Sequence, residues 1–319
     1  MKLQRYEAIS QNIRDEFELQ KEKHPERFKR RIDLSFSVPA FGLEPVEASI
    51  ERLGRLGYQY AELPGNYGGP DTGNQTRLRE IKEALETWNM KCSGVCPFTL
   101  PGMAFTERDS FGRQRAFDYL KNNVEFCKAA GGSYYLITPG PVGVGHPADS
   151  GDYSRSVAFL KEHARIFEEN DIRCAIEICH RGAVPFCHNI EEARQYMKDV
   201  DHPYVQYIYG DMKHLLAGEP HLGEAIMNCG KQLLCLHLRD TCNGGAIGTG
   251  MMDLDTVIRA LYLVGFNREG CYAVGEPTAS ACLRDGGFDP FIPYPEHIKT
   301  EIAQATLEYF REREEEVLK

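Results

Sequence analysis

No run of about 18 apolar residues occurs anywhere in the chain. The opening stretch, MKLQRYEAISQNIRDEFELQ, also lacks the apolar segment of a secretion signal. These two absences speak against a membrane partner. Positive charge is in short supply as well: 37 Lys and Arg face 47 Asp and Glu, a formal net charge of −10. A surface built to hold nucleic acid by its phosphates needs the opposite balance. The eleven cysteines are odd in number and include no Cys-x-x-Cys pair. Many of them, such as Cys92, Cys174, Cys235 and Cys271, fall in strand-like runs where a free thiol behaves as a small hydrophobe. A reducing cytoplasm is the expected location. Finally, SVPAFGLEP, after the first strand-like run, contains no G-x-G-x-x-G, and no other phosphate-binding signature is evident.

What the chain does have is a repeated alternation. Of its 319 residues, 42% are hydrophobic and 26% charged, enough for a full globular core. Short apolar runs at 32–38, 58–63, 91–98, 133–140, 172–179, 204–214, 232–240 and 271–276 predict strands. Amphipathic stretches at 45–57, 76–89, 112–131, 153–171, 189–200, 222–230, 253–265 and 295–314 predict the helices between and after them. Eight strand–helix units in one chain imply an α/β protein, a parallel (β/α)8 TIM barrel at 32–319, in preference to an open doubly wound sheet. Residues 1–31 form an N-terminal helical extension and connector. Leu3, Tyr6, Ile13 and Phe17 fall near helical spacing, so the helix should pack on the barrel or on another subunit, and KEKHPERFKRR should be a solvated link. The Gly-, Pro- and Asn-rich stretch 64–75 reads as a loop.

Barrels of this kind build their sites at the carboxyl ends of the strands. Four consecutive strands end here in a metal-type ligand: Glu177 in CAIEI, Asp211 in QYIYGD, His237 in LLCLH and Glu276 in CYAVGE. A buried carboxylate needs a partner, and adjacent strands lie about 5 Å apart, so four such side chains can converge on one cation. Three carboxylates and one imidazole suit Mn²⁺ best, with Mg²⁺ or Co²⁺ also acceptable.

These residues, with His214 in YGDMKH, the stretch CLHLRD around His237 and the segment GTGMMDLDTVIRALYLVGF, resemble the metal-site pattern of the xylose-isomerase-like barrel superfamily. That group includes sugar phosphate isomerases, ketose 3-epimerases, inosose dehydratases and abasic-site endonucleases. The resemblance implies that Glu177, Asp211, His237 and Glu276 hold one divalent ion, and that Glu177 and Glu276 move protons on opposite sides of a sugar. It further implies that His214 contacts a substrate hydroxyl or carbonyl, that Arg239 or Asp240 neutralises or orients another substrate group, and that Arg181 is a further candidate for the pocket wall. The shared chemistry would be enolisation of a keto sugar, with isomerisation or epimerisation the leading outcome.

The sequence departs from parts of that pattern. Some ketose 3-epimerases carry a second glutamate one turn after the strand-five ligand, where Gly182 and Ala183 stand here. Strand two ends in Glu62 and strand three near Cys96 and Phe98, without the extra histidines of the abasic-site endonucleases. His146, in PGPVGVGHPAD, is a candidate general base above the metal, while His180 and His188 read as surface or supporting groups. Together with the N-terminal extension, these features also resemble the larger subunits of C-glycoside deglycosidases. Such a protein would be a lyase that eliminates the aglycone from a 3-oxo-glycoside with a small partner subunit. A non-catalytic sugar-binding or scaffold subunit is the reading from another class. The expected partners are therefore a carbohydrate or glycoside and a further protein chain, as an oligomer or with a small second subunit.

Overall fold

Each of the apolar runs does extend, and each is followed by a helix whose apolar face covers it. The computed structural model describes residues 5–65, 73–98, 102–141, 149–241, 244–277 and 292–319, with backbone alone at 73–75. The strands are β1 (Asp33–Ser37), β2 (Tyr60–Pro64), β3 (Lys91–Cys96), β4 (Tyr134–Ile137), β5 (Arg173–Glu177), β6 (Tyr207–Asp211), β7 (Leu233–Leu238) and β8 (Tyr272–Gly275). They close into one barrel in chain order, every pair parallel, with β8 returning to β1. The helices are α1 (Tyr6–Lys23), α2 (Val46–Leu56), α3 (Gly73–Thr87), α4 (Ser110–Ala129), α5 (Asp152–His163), α6 (Arg165–Asn170), α7 (Ile190–Val200), α8 (Met212–Gly218), α9 (Leu222–Cys229), α10 (Leu254–Leu263) and α11 (Glu296–Leu318).

Local chemistry explains the element ends. α2 buries Val46, Ile50 and Leu53 and stops at Gly57, whose φ of 94° is the left-handed conformation glycine adopts without strain. α7 starts at Asn189, whose side chain accepts from the Glu192 N–H, and α10 starts at Asp253, which accepts from Thr256 N–H. Among the described residues all nine cysteines are free and buried, as their apolar contexts predict. No helix of the described residues is long and apolar enough to cross a membrane.

The structure differs from the sequence expectation in three places. The predicted helix 153–171 breaks at Ala164 into α5 and α6. The predicted strand 204–214 is strand only over Tyr207–Asp211, because the Asp211 carboxylate accepts from the N–H groups of Lys213 and His214 and starts α8 at once. The charged connector is not merely a solvated link. Phe28 is buried and its ring stacks 5.8 Å from Tyr262 while meeting Phe17 edge-on at 5.1 Å. Those contacts, with buried Ile13 and Phe17, seat α1 against α9 and α10 of the barrel.

The amino- and carboxyl-terminal parts of the chain are joined by one buried carboxylate. Glu314 of α11 accepts from the Ile32 N–H at 2.8 Å and the Tyr262 hydroxyl at 2.9 Å, and Arg311 donates to its other oxygen at 2.6 Å. A second ionic group ties α2 to α11. Arg52 and Lys299 both reach Glu44, and Arg52 also reaches Glu296 at 2.5 Å.

Candidate metal centre and active site

The barrel interior is unusually polar toward its carboxyl end, and its geometry begins with Glu62 of β2. This carboxylate is fully buried, at 0% exposure. One oxygen accepts from the hydroxyls of Tyr134 at 2.6 Å and Tyr209 at 2.8 Å. The other lies 2.9 Å from His237 Nε2. Gly94 on β3 makes this possible: a Cβ there would stand 2.5 Å from the Tyr134 ring. A carboxylate at Nε2 holds the proton on that nitrogen and turns the lone pair of Nδ1 inward, toward the barrel mouth.

His237 Nδ1 lies 2.8 Å from Glu276 Oε2. Asp211, the register partner of His237 across β6 and β7, completes a group whose three ligand atoms all lie within 4.8 Å of one another. Arg239, two residues beyond His237, places Nε 2.7 Å from Asp211 Oδ2 and touches Glu276 through Nη2. Burial pushes the Asp211 carboxyl up, but the Arg239 guanidinium, His214 and the two backbone N–H groups outweigh it and leave it below the usual carboxylate range.

These residues fit a divalent cation on the structure's own evidence. Asp211 Oδ2, His237 Nδ1 and Glu276 Oε2 are buried and meet no hydrogen-bond geometry, the two carboxylate oxygens being offset only by the Arg239 guanidinium. Buried polar atoms left in that state are costly, and three of them facing one another form a ready ligand set. The Arg239 guanidinium beside Glu276 supplies part of the positive charge that a carboxylate oxygen 2.8 Å from an imidazole lone pair calls for, and a cation at the same point would supply the rest.

Glu177 stands apart from this trio. It pairs in register with Tyr209, two residues before Asp211, so it enters the mouth at a different height. Thr138 donates to its Oε2 at 2.8 Å, and His214 Nδ1 lies 3.7 Å from Oε1. It groups instead with Cys179 and His214, again with ligand atoms within 4.8 Å. Burial, and the Glu177 carboxylate next to it, push the Cys179 thiol well above its ordinary value. The His180 ring packs 4.9 Å from that of His214, and burial with the neighbouring His214 and Lys213 lowers the His180 pKa.

The structure thus brings Glu177, Asp211, His214, His237, Arg239 and Glu276 to the mouth of the barrel. It does not bring Arg181, which is exposed and lies 3.6 Å from Glu192 on α7. Asp240 is buried in its own loop, not turned to a pocket. Its oxygens accept from the N–H groups of Thr241, Gly248 and Met252 at 2.7, 2.8 and 3.1 Å. His188 is also internal, with Nδ1 3.1 Å from the Cys179 carbonyl. His146 lies outside the described residues. Sequence reasoning did not give Glu62 a role; the only signal was a carboxylate inside the otherwise apolar strand YAELP.

The model of the xylose isomerase-like TIM barrel family matches residues 50–287, and the chain belongs to that family. By sequence it is 29% identical over 117 residues to a D-psicose 3-epimerase from Ruminiclostridium cellulolyticum, a match covering 37% of this chain and 39% of that protein. The crystal structure of D-psicose 3-epimerase with D-tagatose from Clostridium cellulolyticum H10 superposes with a TM-score of 0.74 at 20% identity, covering 88% of this chain and 99% of the other. A 3-keto-D-glucoside 4-epimerase from E. coli gives 0.70 at 16% identity over 88% and 100%. The IolI protein with a bound zinc atom gives 0.67 at 19% identity over 89% and 99%. These structural likenesses establish the fold.

Proposed function

We propose that this protein is a divalent-cation-dependent enzyme that enolises a keto sugar, acting as an isomerase or epimerase. The observation that carries the reading is the convergence of buried ligand atoms on Asp211, His237 and Glu276 within 4.8 Å of one another, backed by the Glu62 carboxylate on His237. The sugar epimerases among its relatives support the substrate class.

Asp211, His237 and Glu276 would hold the ion, joined by Glu177 when its side chain turns from Thr138. Mn²⁺ fits the oxygen-rich donors best, with Mg²⁺ or Co²⁺ as substitutes. Bound there, the cation would polarise the sugar carbonyl and stabilise the charge that develops beside it. The chain's own residues supply the rest. Glu177 would remove the proton from the carbon next to the carbonyl, and His214 lies close enough to Glu177 to hydrogen-bond a substrate oxygen there. Glu276, on the other side of the mouth, would relay a proton from solvent to the opposite face, while Glu177 gives the proton it took back to solvent. Arg239 keeps Asp211 and Glu276 in place and balances their charge.

A second reading is elimination of an aglycone from a 3-oxo-glycoside, as in a deglycosidase large subunit with a small partner. It is supported by the fold's likeness to an enzyme named for a 3-keto-glucoside. The two share the first step, so one experiment tests both. Chelator-treated protein should lose, and Mn²⁺ restore, solvent deuterium incorporation into free ketoses or aglycone release from an oxidised glycoside. Glu177→Gln should lower that rate by about 10²–10⁴ with the fold intact. Exchange that is indifferent to both treatments removes the reading. We also propose cytoplasmic location, which cell fractionation checks, and an oligomeric assembly, which sedimentation of the purified protein checks.

A further inference from the structure

The strand-five side of the barrel mouth holds a donor set chemically unlike the Asp211–His237–Glu276 cage. We propose that Cys179, His214 and Glu177 form a second, softer cation site beside the harder one. The inference shares Glu177 with the function proposed above and rests on that reading to this extent only.

Three observations carry it. One thiol, one imidazole nitrogen and one carboxylate oxygen lie within 4.8 Å of one another, close to the spacing of ligands around a single ion. His214 Nδ1 is buried, makes no hydrogen bond, and sits 3.7 Å from Glu177 Oε1. Each donor also has a tether of its own. Glu177 is fixed by Thr138 at the end of β5. Cys179 follows it by two residues, the spacing that returns a side chain to the same side of an extended chain, and its N–H donates to the Cys187 carbonyl. His214 lies in the first turn of α8, its N–H tied to Asp211.

The donor chemistry sets the preference. A thiolate with an imidazole and one carboxylate is a borderline-soft set that favours Zn²⁺ or Co²⁺ over Mn²⁺ or Mg²⁺. Three protein ligands leave the fourth position open for water or a sugar hydroxyl. A carboxylate has two oxygens, so Glu177 can face both sites. Coordination requires the thiolate, so binding at this site releases the Cys179 proton to solvent.

The test is a Co²⁺ titration of the full-length, chelator-stripped protein, followed by absorbance and proton release. The wild type should bind two equivalents, one of them with a near-ultraviolet thiolate-to-cobalt charge-transfer band and one proton released. Cys179→Ser should abolish the band and leave one equivalent, with circular dichroism confirming the fold. Cys96→Ser, which removes a thiol within 4.8 Å of a His237 nitrogen, should keep the band. A folded wild type that shows no band overturns the site, as does a band that survives Cys179→Ser. His214→Gln should weaken the banded equivalent at least tenfold, and unchanged affinity there overturns the assignment of the imidazole. Glu276→Gln should remove the other equivalent and spare the band, and loss of the band in that variant overturns the separation of the two sites. A band in protein that Mn²⁺ cannot activate supports the soft site while removing the catalytic reading.

Discussion

Glu62 and Glu314 are both sealed from solvent at 0% exposure, and both accept from a tyrosine hydroxyl, yet they serve opposite ends of the protein's economy of charge. Glu314 lies in the helical shell and faces donors that need an acceptor: a backbone N–H, a phenol and an arginine. Its role is complete once they are satisfied. Glu62 lies inside the barrel, and one of its partners, His237, has a second nitrogen pointing into the candidate site. The comparison teaches that a buried carboxylate is structural when its partners end the chain of contacts, and functional when they pass it on.

Three experiments break or sharpen that comparison. The largest effect is expected from Glu314→Ala, which strands the Ile32 N–H and the Tyr262 hydroxyl and leaves Arg311 without its carboxylate. A loss of about 3–5 kcal/mol is expected in denaturant unfolding, with cation affinity unchanged in the protein that remains folded. Glu62→Gln should do the reverse. The amide still accepts from both tyrosines, but its NH₂ group now faces His237 Nε2, and the imidazole proton moves to Nδ1. Isothermal titration should show cation affinity reduced about 10–100-fold with a small change in melting temperature. Equal stability losses in the two variants would erase the distinction drawn here.

The smallest effect concerns Glu44, a carboxylate of the shell whose partners are Arg52 and Lys299. Burial raises its pKa, but hydrogen bonds from Arg52, Lys299 and Ser49 outweigh burial and leave it lowered. A lowered folded-state pKa adds stability above the unfolded value, and that stability is lost as pH falls through the folded one. The melting temperature should therefore decline on acidification below the ordinary carboxylate range. Glu44→Gln should start lower at neutral pH and decline less steeply.

Much of this was legible before any coordinates. The alternation of period-two and period-3.6 runs specifies eight strand–helix units, and parallel closure follows from their number. Asp211, His237 and Glu276 could be read as candidate ligands because carboxylates and imidazole at the ends of buried strands are expensive without a purpose. Arg181 and Asp240 were misplaced for a local reason. Sequence proximity puts both near the site, but Arg181 turns out toward Glu192 and Asp240 turns into its own loop.

The chain by itself determined which elements form, in what order they close, and which chemical groups stand at the strand ends, because side-chain periodicity and polarity are local properties. Only the tertiary structure decided which of those groups meet. Neighbouring strands in a closed barrel are staggered, so Glu177 enters level with Tyr209 while Asp211 is level with His237. The interior is crossed rather than followed, so Glu62 reaches His237 from a strand 175 residues away, a distance along the chain that no local pattern spans.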